Sequence, residues 1–336
     1  MSLPPVEIPL GAIRFNSDSQ KLEYWNGSAW MQIQTFTPNL DGGERGIFMG
    51  QFITIPTTGN ATDFGDLTNV RSQLACCSSR TRGFAAGGES PGLDDEIEFV
   101  TFSSTGNSTD FGNLVRAKRR MTGAGCSNAT RGLFNGGYRG SPSATLKEVD
   151  YITMSHAGNA QDFGDLVNER EFPGCFASPT RGVVVGGRTQ TPSPTNPLAG
   201  GDFYVIPTTG NASRFNNLTE RNAQSMYCAN STRGVIGGGT NPTALDTIAY
   251  YTLSSLGEET EFGSLTSGSN YYSNGSFANS TRAVQGGGIS PGSPNGSNII
   301  DYVNIATGGS SIDFGDMIDS TNNDSGGCSN GHGGLG

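Results

Sequence analysis

Three short hydrophobic patterns recur along the chain, and each of them predicts a β-strand. The first is an apolar run ending in Gly-Gly, as in TRGVVVGG from Thr180, which is typical of a buried strand. The second alternates apolar and polar residues, as in KEVDYITMS at 147–155, and predicts a strand with one buried face. The third is the string DFGDL, at 63–67 and 162–166, which predicts a further short strand. No segment combines helical periodicity with end caps, so we expect an all-β fold.

The patterns recur in a fixed order, which makes the chain a repeat protein. Each unit reads as strand, turn, strand, loop, strand, turn, strand, and Thr-Gly-Asn strings such as 105–107 predict the last tight turn. Four short strands in a unit of about 50 residues are typical of a β-propeller. The Phe of the third pattern marks six units, with spacings of 47, 52, 52, 47 and 52 residues, at Phe64, Phe111, Phe163, Phe215, Phe262 and Phe314.

The two ends of the repeated region complement one another. The repeats start in mid-unit at Arg45, and the chain ends in SGGCSNGHGGLG, which matches the segment before other Arg-Gly strands, such as GAGCSNATRGL at 123–133. We therefore expect the C-terminal segment to pair with the strand at Arg45, which would close a ring and remove exposed sheet edges. The predicted architecture is a small N-terminal β-meander in residues 1–40, followed by a six-bladed propeller in residues 41–336.

Charge and composition exclude several classes of function. The chain has 20 basic and 30 acidic residues, a net charge of −10, so a nucleic-acid partner is not expected because it would require a basic face. The sequence lacks an apolar run of about 18 residues, so no transmembrane helix is predicted. Its first residues, MSLPPVEIPL, lack the basic and apolar regions of a secretory signal.

The repeat resembles the kelch repeat, with a Gly-Gly pair such as Gly136-Gly137 ending the second strand. Kelch blades also carry an aromatic residue on the third strand, a Trp on the fourth and an Arg before the next blade. Here Phe replaces the Trp, and the last two units lack the Arg. The resemblance implies a kelch-like propeller over about 290 residues but no single function, because kelch propellers include enzymes, adaptors and structural proteins. The matching third-strand aromatics are Phe99, Tyr151, Tyr204, Tyr250 and Tyr302, and the matching Arg residues are Arg71, Arg170 and Arg221.

A second resemblance covers residues 11–32, GAIRFNSDSQKLEYWNGSAWMQ. This segment is similar to a short module of tailed-phage fibres and appendages, and the TRG…GG and TGNATDFGDL repeats are similar to virion proteins of marine cyanophages. The resemblance implies a virion protein assembled in the cytoplasm of a bacterial host. It would attach to capsid, tail or fibre proteins through residues 1–40, with Tyr24, Trp25 and Trp30 as docking residues, and it would form a homo-oligomer or occur in many copies on the particle.

Residues suited to catalysis or metal binding are scarce. His156 and His332 are the two histidines of the chain, and they are too few and too far apart for a catalytic triad, a zinc site or the copper site of a galactose-oxidase-type kelch enzyme. The Asp and Asn residues of TGNATDFGD suit turn capping better than calcium, which requires six or more converging oxygens. We therefore predict a protein that is not an enzyme and has no catalytic residue, no metal and no cofactor.

Two columns of the repeat have both a structural and a functional interpretation. Cys77, Cys126, Cys228 and Cys328 share a column with Phe176 and Phe277, which favours buried reduced thiols over disulfides or a ring of metal ligands. An Arg in every unit would either form a ring of anion-binding guanidiniums or link neighbouring blades through carboxylates or carbonyls. We favour the link, with an acidic column as a natural partner and at least four Arg side chains contacting acids or carbonyls. The Arg column is Arg45, Arg82, Arg131, Arg181, Arg233 and Arg282, and the acidic column is Asp63, Asp110, Asp162, Glu261 and Asp313.

The loops after Gly-Gly differ most between units and would all emerge on one face, as the recognition loops of propellers do. Tyr138, Arg139 and Arg188 are the best contact candidates there, although the loops are equally well explained as tolerated insertions. We predict a phage structural protein, a tail fibre, appendage or capsid knob, that presents the propeller for surface interaction or host adsorption. The alternatives are a receptor-recognition protein that binds a host-surface glycan and, behind it, a glycan-cleaving enzyme; a cellular kelch adaptor is disfavoured by residues 11–32.

Overall fold

The computed structural model describes residues 8–17, 21–32, 44–48, 50–190, 196–218, 223–241, 243–255, 257–266, 275–288, 296–321 and 326–335. The chain divides into two compact units, Met1–Leu40 and Asp41–Gly336. The prediction of an all-β fold is confirmed, because the regular structure of the described residues is β-strand apart from one 3₁₀ turn at Gly333–Leu335. Within these ranges no helix is long and apolar enough to cross a membrane.

The first unit contains one antiparallel three-stranded sheet. Its strands are Ile13–Asn16, Lys21–Trp25 and Trp30–Gln32, in that order across the sheet. The second connection is a tight turn in which the Asn26 side chain accepts hydrogen bonds from the backbone N–H groups of Ser28 and Ala29, at 3.0 and 2.8 Å. A short polar side chain that bonds its own backbone in this way stabilises a turn, so the Asn-Gly-Ser sequence explains the reversal.

The second unit is built from six four-stranded antiparallel sheets, each with its strands in the order first, second, third, fourth. We number them sheet 1 to sheet 6. Sheet 1 comprises Gly327–Ser329, Arg45–Phe48, Gln51–Thr54 and Thr62–Asp63. Sheet 2 comprises Ala75–Ser78, Arg82–Glu89, Leu93–Thr101 and Thr109–Asn113. Sheet 3 comprises Gly125–Ser127, Arg131–Asn135, Glu148–Thr153 and Gln161–Asp165.

The other three sheets repeat the same order of strands. Sheet 4 comprises Gly174–Ala177, Arg181–Val185, Gly200–Val205 and Ser213–Asn217. Sheet 5 comprises Met226–Ala229, Arg233–Gly237, Thr247–Thr252 and Thr260–Ser264. Sheet 6 comprises Gly275–Ala278, Arg282–Gly286, Ser297–Asn304 and Ile312–Thr321. The predicted unit of four consecutive strands is therefore confirmed.

Sheet 1 joins the two ends of the repeated region. Its first strand, Gly327–Ser329, pairs antiparallel with Arg45–Phe48, and Cys328 lies opposite Ile47. The Asn330 side chain also accepts a hydrogen bond from the backbone N–H of Arg45 at 2.8 Å. The prediction that the C-terminal segment pairs with the strand at Arg45 is confirmed.

The first strands of the six sheets are neighbours in cyclic order. Each lies beside the first strand of the next sheet, and that of sheet 6 lies beside that of sheet 1. Ser127 Oγ donates to the carbonyl of Ser78, and Ser78 Oγ to the carbonyl of Ser329, both at 2.7 Å. The backbones approach so closely that a Cβ atom on Gly125 would lie 1.9 Å from the carbonyl oxygen of Cys76. A glycine is therefore required there.

The Thr-Gly-Asn turns make a second seam at the outer edge of the sheets. The backbone N–H of Gly106, in the turn of sheet 2, donates to the carbonyl of Phe64, which directly follows the fourth strand of sheet 1, at 2.7 Å. The Asn107 side chain then accepts from the backbone N–H of Asp66 at 3.1 Å. Among the described residues this backbone bond is present at five junctions in all, including the one from Gly59 of sheet 1 to Phe314 of sheet 6. This contact explains why Thr-Gly-Asn and Asp-Phe-Gly-Asp recur together.

Aromatic pairs connect the third strand with the DFGDL-type segment in sheets 1, 2, 3, 5 and 6. Tyr151 packs edge-on against Phe163 at 5.8 Å between ring centres, and similar pairs occur in other sheets. In sheet 4 the residue at the position of Tyr151 is Phe203, because Phe203 lies opposite Val183 as Tyr151 lies opposite Leu133. Assigning Tyr204 to this column was therefore wrong by one residue, which places its side chain on the opposite face of the sheet.

Candidate functional site

The six Arg side chains of the repeated column link each sheet to the following sheet through backbone carbonyls. Arg131 of sheet 3, for example, donates to the carbonyl of Ile206, just beyond the third strand of sheet 4, at 2.9 Å. The expectation that at least four of them contact acids or carbonyls is confirmed, but the acidic column as partner is wrong, because the acceptors are carbonyls. The acceptors of Arg45, Arg82, Arg131, Arg181, Arg233 and Arg282 are Phe102, Met154, Ile206, Leu253, Ile305 and Ile55, at 2.5 to 3.3 Å.

Each of these guanidinium groups also stacks on an aromatic ring of its own sheet. The distance from the guanidinium carbon to the ring centre is 4.9 Å for Arg131 over Tyr151 and 4.3 Å for Arg233 over Tyr250. Such stacking is favourable and fixes the direction of the side chain. Each guanidinium group is held between an aromatic ring and a backbone carbonyl within the fold. The Arg column is therefore a structural link between sheets and not a ring of anion-binding groups.

The column shared by Cys and Phe is buried, as predicted, and all six thiols are free. The closest polar contacts of these thiols join sheets 3 and 4. Tyr204 Oη lies 3.2 Å from Cys126 Sγ and 3.9 Å from Cys175 Sγ, and the Asn135 amide donates to Cys175 Sγ at 3.2 Å. Hydrogen bonds from Cys175, and then from Tyr204 and Asn135, lower the pKa of Cys126, whereas burial raises the pKa of Cys175 well above its ordinary value.

The first strands surround a small central cavity of about 60 Å³, and the end of the chain covers one side of it. His332 lines the cavity, with its Nε2 atom 3.0 Å from the carbonyl oxygen of Ser78 and 3.2 Å from Ser127 Oγ. Burial and, to a smaller extent, the nearby Arg80 lower the pKa of His332 to about 4, although its hydrogen bond to Ser78 acts in the opposite direction. His332 therefore serves as a neutral packing group at neutral pH.

The opposite ends of the sheets carry the variable loops, and in sheets 2 to 6 a Gly-Gly pair leads the chain into them. Both glycines of each pair have positive φ angles, for example 60° at Gly136 and 104° at Gly137, which residues with a side chain rarely adopt. The loops then form small hairpins. Three of them are two-stranded sheets: Tyr138–Arg139 with Ala144–Thr145, Arg188–Thr189 with Asn196–Pro197, and Thr240–Asn241 with Thr243–Ala244.

Ionic contacts join the hairpins of sheets 2, 3 and 4 into a continuous surface, which we call the loop face. Glu171, whose side chain is fully buried, is at its centre. It accepts from Arg120 Nη1 at 2.8 Å, Arg188 Nε at 2.9 Å and Gln190 Nε2 at 3.3 Å. The backbone N–H of Gln190 also donates to Thr145 Oγ1 at 3.3 Å, which links the hairpins of sheets 3 and 4. Charge-assisted bonds to one buried carboxylate hold these cations in fixed positions.

The three contact candidates predicted from the sequence all lie in these hairpins. Tyr138 is buried, with 8% of its surface exposed, and its ring lies 4.5 Å from the guanidinium carbon of Arg120 and 5.5 Å from that of Arg119. Arg188 is bound to Glu171, and one quarter of its side chain is exposed. Arg139 is half-buried, and its Nε atom has no hydrogen-bond partner within the described part of the chain. Tyr138 therefore positions cations rather than offering its own ring to a partner.

Arg119, Arg120 and Glu171 are the members of the loop face that sequence reasoning missed. The signal for the two cations is the run RAKRR at 116–120, which holds four of the 20 basic residues in an acidic chain. Arg119 bonds to Glu89 of the preceding hairpin. Glu171 carries no comparable signal, because a single acidic residue between repeats gives no indication of burial.

The Arg residues of the kelch resemblance occupy buried ion pairs close to the loop face. Arg170 Nη2 lies 2.9 Å from Asp202 Oδ2, and both side chains are fully buried. Arg71 pairs with Glu98 in the same way at 2.5 Å. In sheet 3 Lys118 replaces the Arg and lies 3.2 Å from Asp150. Arg221 lies outside the described residues.

The predicted docking residues of the first unit lie on different faces of its sheet. Tyr24 is directed to one face, while its neighbour Trp25 and the cross-strand partner Trp30 share the other face, with 5.6 Å between ring centres. The guanidinium carbon of Arg14 lies 4.2 Å from the centre of the Trp30 ring. The two Trp rings therefore pack against one another and against Arg14, and Tyr24 remains on the face that is open.

Searches for a metal site and for relatives give no further assignment. Within the described residues, no three His, Cys, Asp or Glu side chains are arranged to hold a metal ion. His156, the second histidine, is exposed and bonds Ser155 Oγ at 2.7 Å. The chain matches no family model, and no curated protein is similar to it in sequence.

Proposed function

We propose that the second unit is a six-bladed, kelch-like β-propeller in which sheets 1 to 6 are the blades. The cyclic order of the first strands and the Arg-to-carbonyl links, which run from each sheet to the next and from Arg282 of sheet 6 to Ile55 of sheet 1, support it. Class averages from electron microscopy of the purified chain should show a toroid with pseudo-sixfold symmetry. An elongated, solenoid-like particle would contradict the proposal.

We further propose that the protein is a structural component of a tailed-phage virion that is assembled in the bacterial cytoplasm. Residues 1–40 would attach it to a capsid, tail or fibre protein, and the propeller would present the loop face outward without catalysing a reaction. The observation that carries this proposal is the loop face itself, since three hairpins that differ in sequence are held rigidly together on a repeated scaffold. The resemblance of residues 11–32 to phage-fibre modules supports the viral setting.

Immunoelectron microscopy tests the virion assignment. Antibodies raised against the purified chain should label intact particles of the encoding phage at a constant position. As a matched control, the same serum depleted on the purified chain should leave the particles unlabelled. Reactivity confined to infected-cell lysate, with unlabelled particles, would contradict it.

Binding of a host-surface glycan is the second candidate, and the fixed cations of the loop face favour it. Arg120 and Arg188 are aligned by Glu171 and suit the carboxylate or phosphate groups of an acidic polysaccharide. The purified chain should bind acidic glycans on an array and adsorb to host cells, and Arg188→Ala should weaken both. The partly exposed pair of Arg116 with Glu148 provides the control, since Arg116→Ala should leave binding unchanged.

A further inference from the structure

One face of the three-stranded sheet in the first unit is entirely apolar. Ile13 lies opposite Tyr24, which in turn lies opposite Met31, and Phe15 lies opposite Leu22. Because side chains alternate along a strand, these five residues share one face, which we call the apolar face. Their exposed fractions are 66% for Ile13, 63% for Phe15, 48% for Leu22, 40% for Tyr24 and 44% for Met31.

The opposite face of the sheet satisfies its own polar groups. Glu23 is 5% exposed and accepts from Arg14 Nε and from Asn16 Nδ2, each at 2.9 Å. Arg14 stacks on Trp30, and Trp30 packs against Trp25. This face therefore needs no partner, and the need for a second layer falls on the apolar face alone.

A small sheet of three strands gains little stability until its apolar face is covered by another layer. The five exposed side chains amount to roughly 600 Å² per copy, so two copies would bury about 1,200 Å², the lower end of the range for specific interfaces. Leu10 and Ile8, which precede the first strand and are 77% and 41% exposed, add to the apolar surface of the unit.

We propose that the apolar face binds the same face of a second copy of this chain. No charged side chain lies on it, so two copies can meet without burying an unpaired charge. Face-to-face packing of two such sheets, about 10 Å apart, produces a small β-sandwich. The contact is isologous, because the same patch serves both partners. The proposal concerns the first unit and does not depend on the virion assignment or on the propeller.

Met31 and Gln32 provide a matched pair of substitutions for the test. They are neighbours on the same edge strand, both are exposed, and they point to opposite faces of the sheet. Sedimentation equilibrium of the full-length chain at about 1–100 µM, the range suited to a contact of this size, should show self-association. Met31→Lys should weaken the association at least about tenfold, since it places a charge in the contact, whereas Gln32→Lys should leave it unchanged.

The thermal unfolding midpoint of the second unit should be the same in both variants, which shows that the substitutions act on association rather than on folding. A chain that stays monomeric over the whole concentration range would overturn the proposal and leave the apolar face to a different protein or to another segment of the chain. Equal association of the native chain and Met31→Lys would overturn it as well, because self-association would then involve another surface. Neither result affects the labelling of phage particles, so the two proposals fail separately.

Discussion

The two ends of each sheet in the second unit are built on different principles. At the Arg end, the six side chains of the repeated column bind backbone carbonyls, so the contact needs nothing specific from the neighbouring side chains. At the Gly-Gly end, the contacts join particular side chains, such as Glu171 with Arg120 and Arg188. Every residue offers a carbonyl, whereas an ion pair requires two matching residues. The Arg end can therefore repeat while the sequence around it changes, and the loop end differs from sheet to sheet.

The largest expected effect concerns sheet 1, in which the C-terminal strand pairs with the strand at Arg45. Deletion of residues 321–336 removes the first strand of sheet 1 and exposes the strands on either side of it. We expect the loss of more than about 5 kcal/mol, the whole stability of a typical domain, and no cooperative thermal transition. Deletion of residues 1–40 is the control and should leave the transition in place. A C-terminally truncated chain that melts like the full chain would show that this pairing is dispensable.

A buried ion pair at the loop end should give the next largest effect. Arg170→Ala leaves Asp202 buried without its cation and should lower the free energy of unfolding by about 3–5 kcal/mol. Lys147→Ala, which breaks the more exposed pair with Asp165, should cost at most about 1 kcal/mol. Urea unfolding of both variants measures the difference. Similar losses of unfolding free energy in the two variants would mean that burial does not determine how much an ion pair at this end contributes to stability.

Because of His332, the stability of the packing of the C-terminal segment should depend on pH. Its folded-state pKa of about 4 lies below the ordinary value of 6.5, so the unfolded chain takes up the proton first. The contribution of neutral His332 to the free energy of unfolding is therefore fully present above pH 6.5. It is lost as the pH falls through about 4, and the loss amounts to at most about 3 kcal/mol. His332→Gln should remove this part of the pH dependence in urea unfolding. The exposed His156 is the control, and His156→Gln should keep the native profile; equal profiles in all three chains would contradict the assignment.

A single member of the Arg column should give the smallest effect. Arg131→Ala removes the bond to Ile206 and the stacking on Tyr151, and we expect a loss of about 2 kcal/mol. Arg139→Ala at the loop end should change stability by no more than about 0.5 kcal/mol. Chemical unfolding of the two variants sharpens the contrast between the ends. If Arg139→Ala were the more damaging, the loop end would hold the sheets together and the proposed contrast would be wrong.

The sequence predicts the sheets well because the repeat supplies six copies of the same evidence. Hydrophobic alternation and the Gly-Gly pairs locate the strands, and the match between the C-terminal segment and GAGCSNATRGL predicts the pairing of that segment with the strand at Arg45. The error at Tyr204 has a physical cause, since Phe203 and Tyr204 are adjacent aromatics and alternation alone does not decide which of them faces the Arg.

The contacts of the candidate sites were harder to predict from the chain. The sequence favours an acidic column as the partner of the Arg column, but Arg131 binds a carbonyl 75 residues away. Because every residue has a backbone carbonyl, the sequence does not indicate which one accepts the bond. The packing of His332 could not be predicted for a different reason, because the residues after Asn330, GHGGLG at 331–336, have no counterpart in the other units. The central position of Glu171 depends on Arg120 and on the Arg188–Gln190 segment, which only the fold brings together.

The pairing in sheet 1 has a mechanical consequence. The strand Arg45–Phe48 is the first of the second unit along the chain, and it is hydrogen-bonded to Gly327–Ser329 on one side and to Gln51–Thr54 on the other. A pull applied through residues 1–40 enters the unit at this strand and loads both ladders together. Detaching this strand requires breaking the hydrogen bonds to both neighbouring strands at once. The strand that first bears the force is therefore held on both sides.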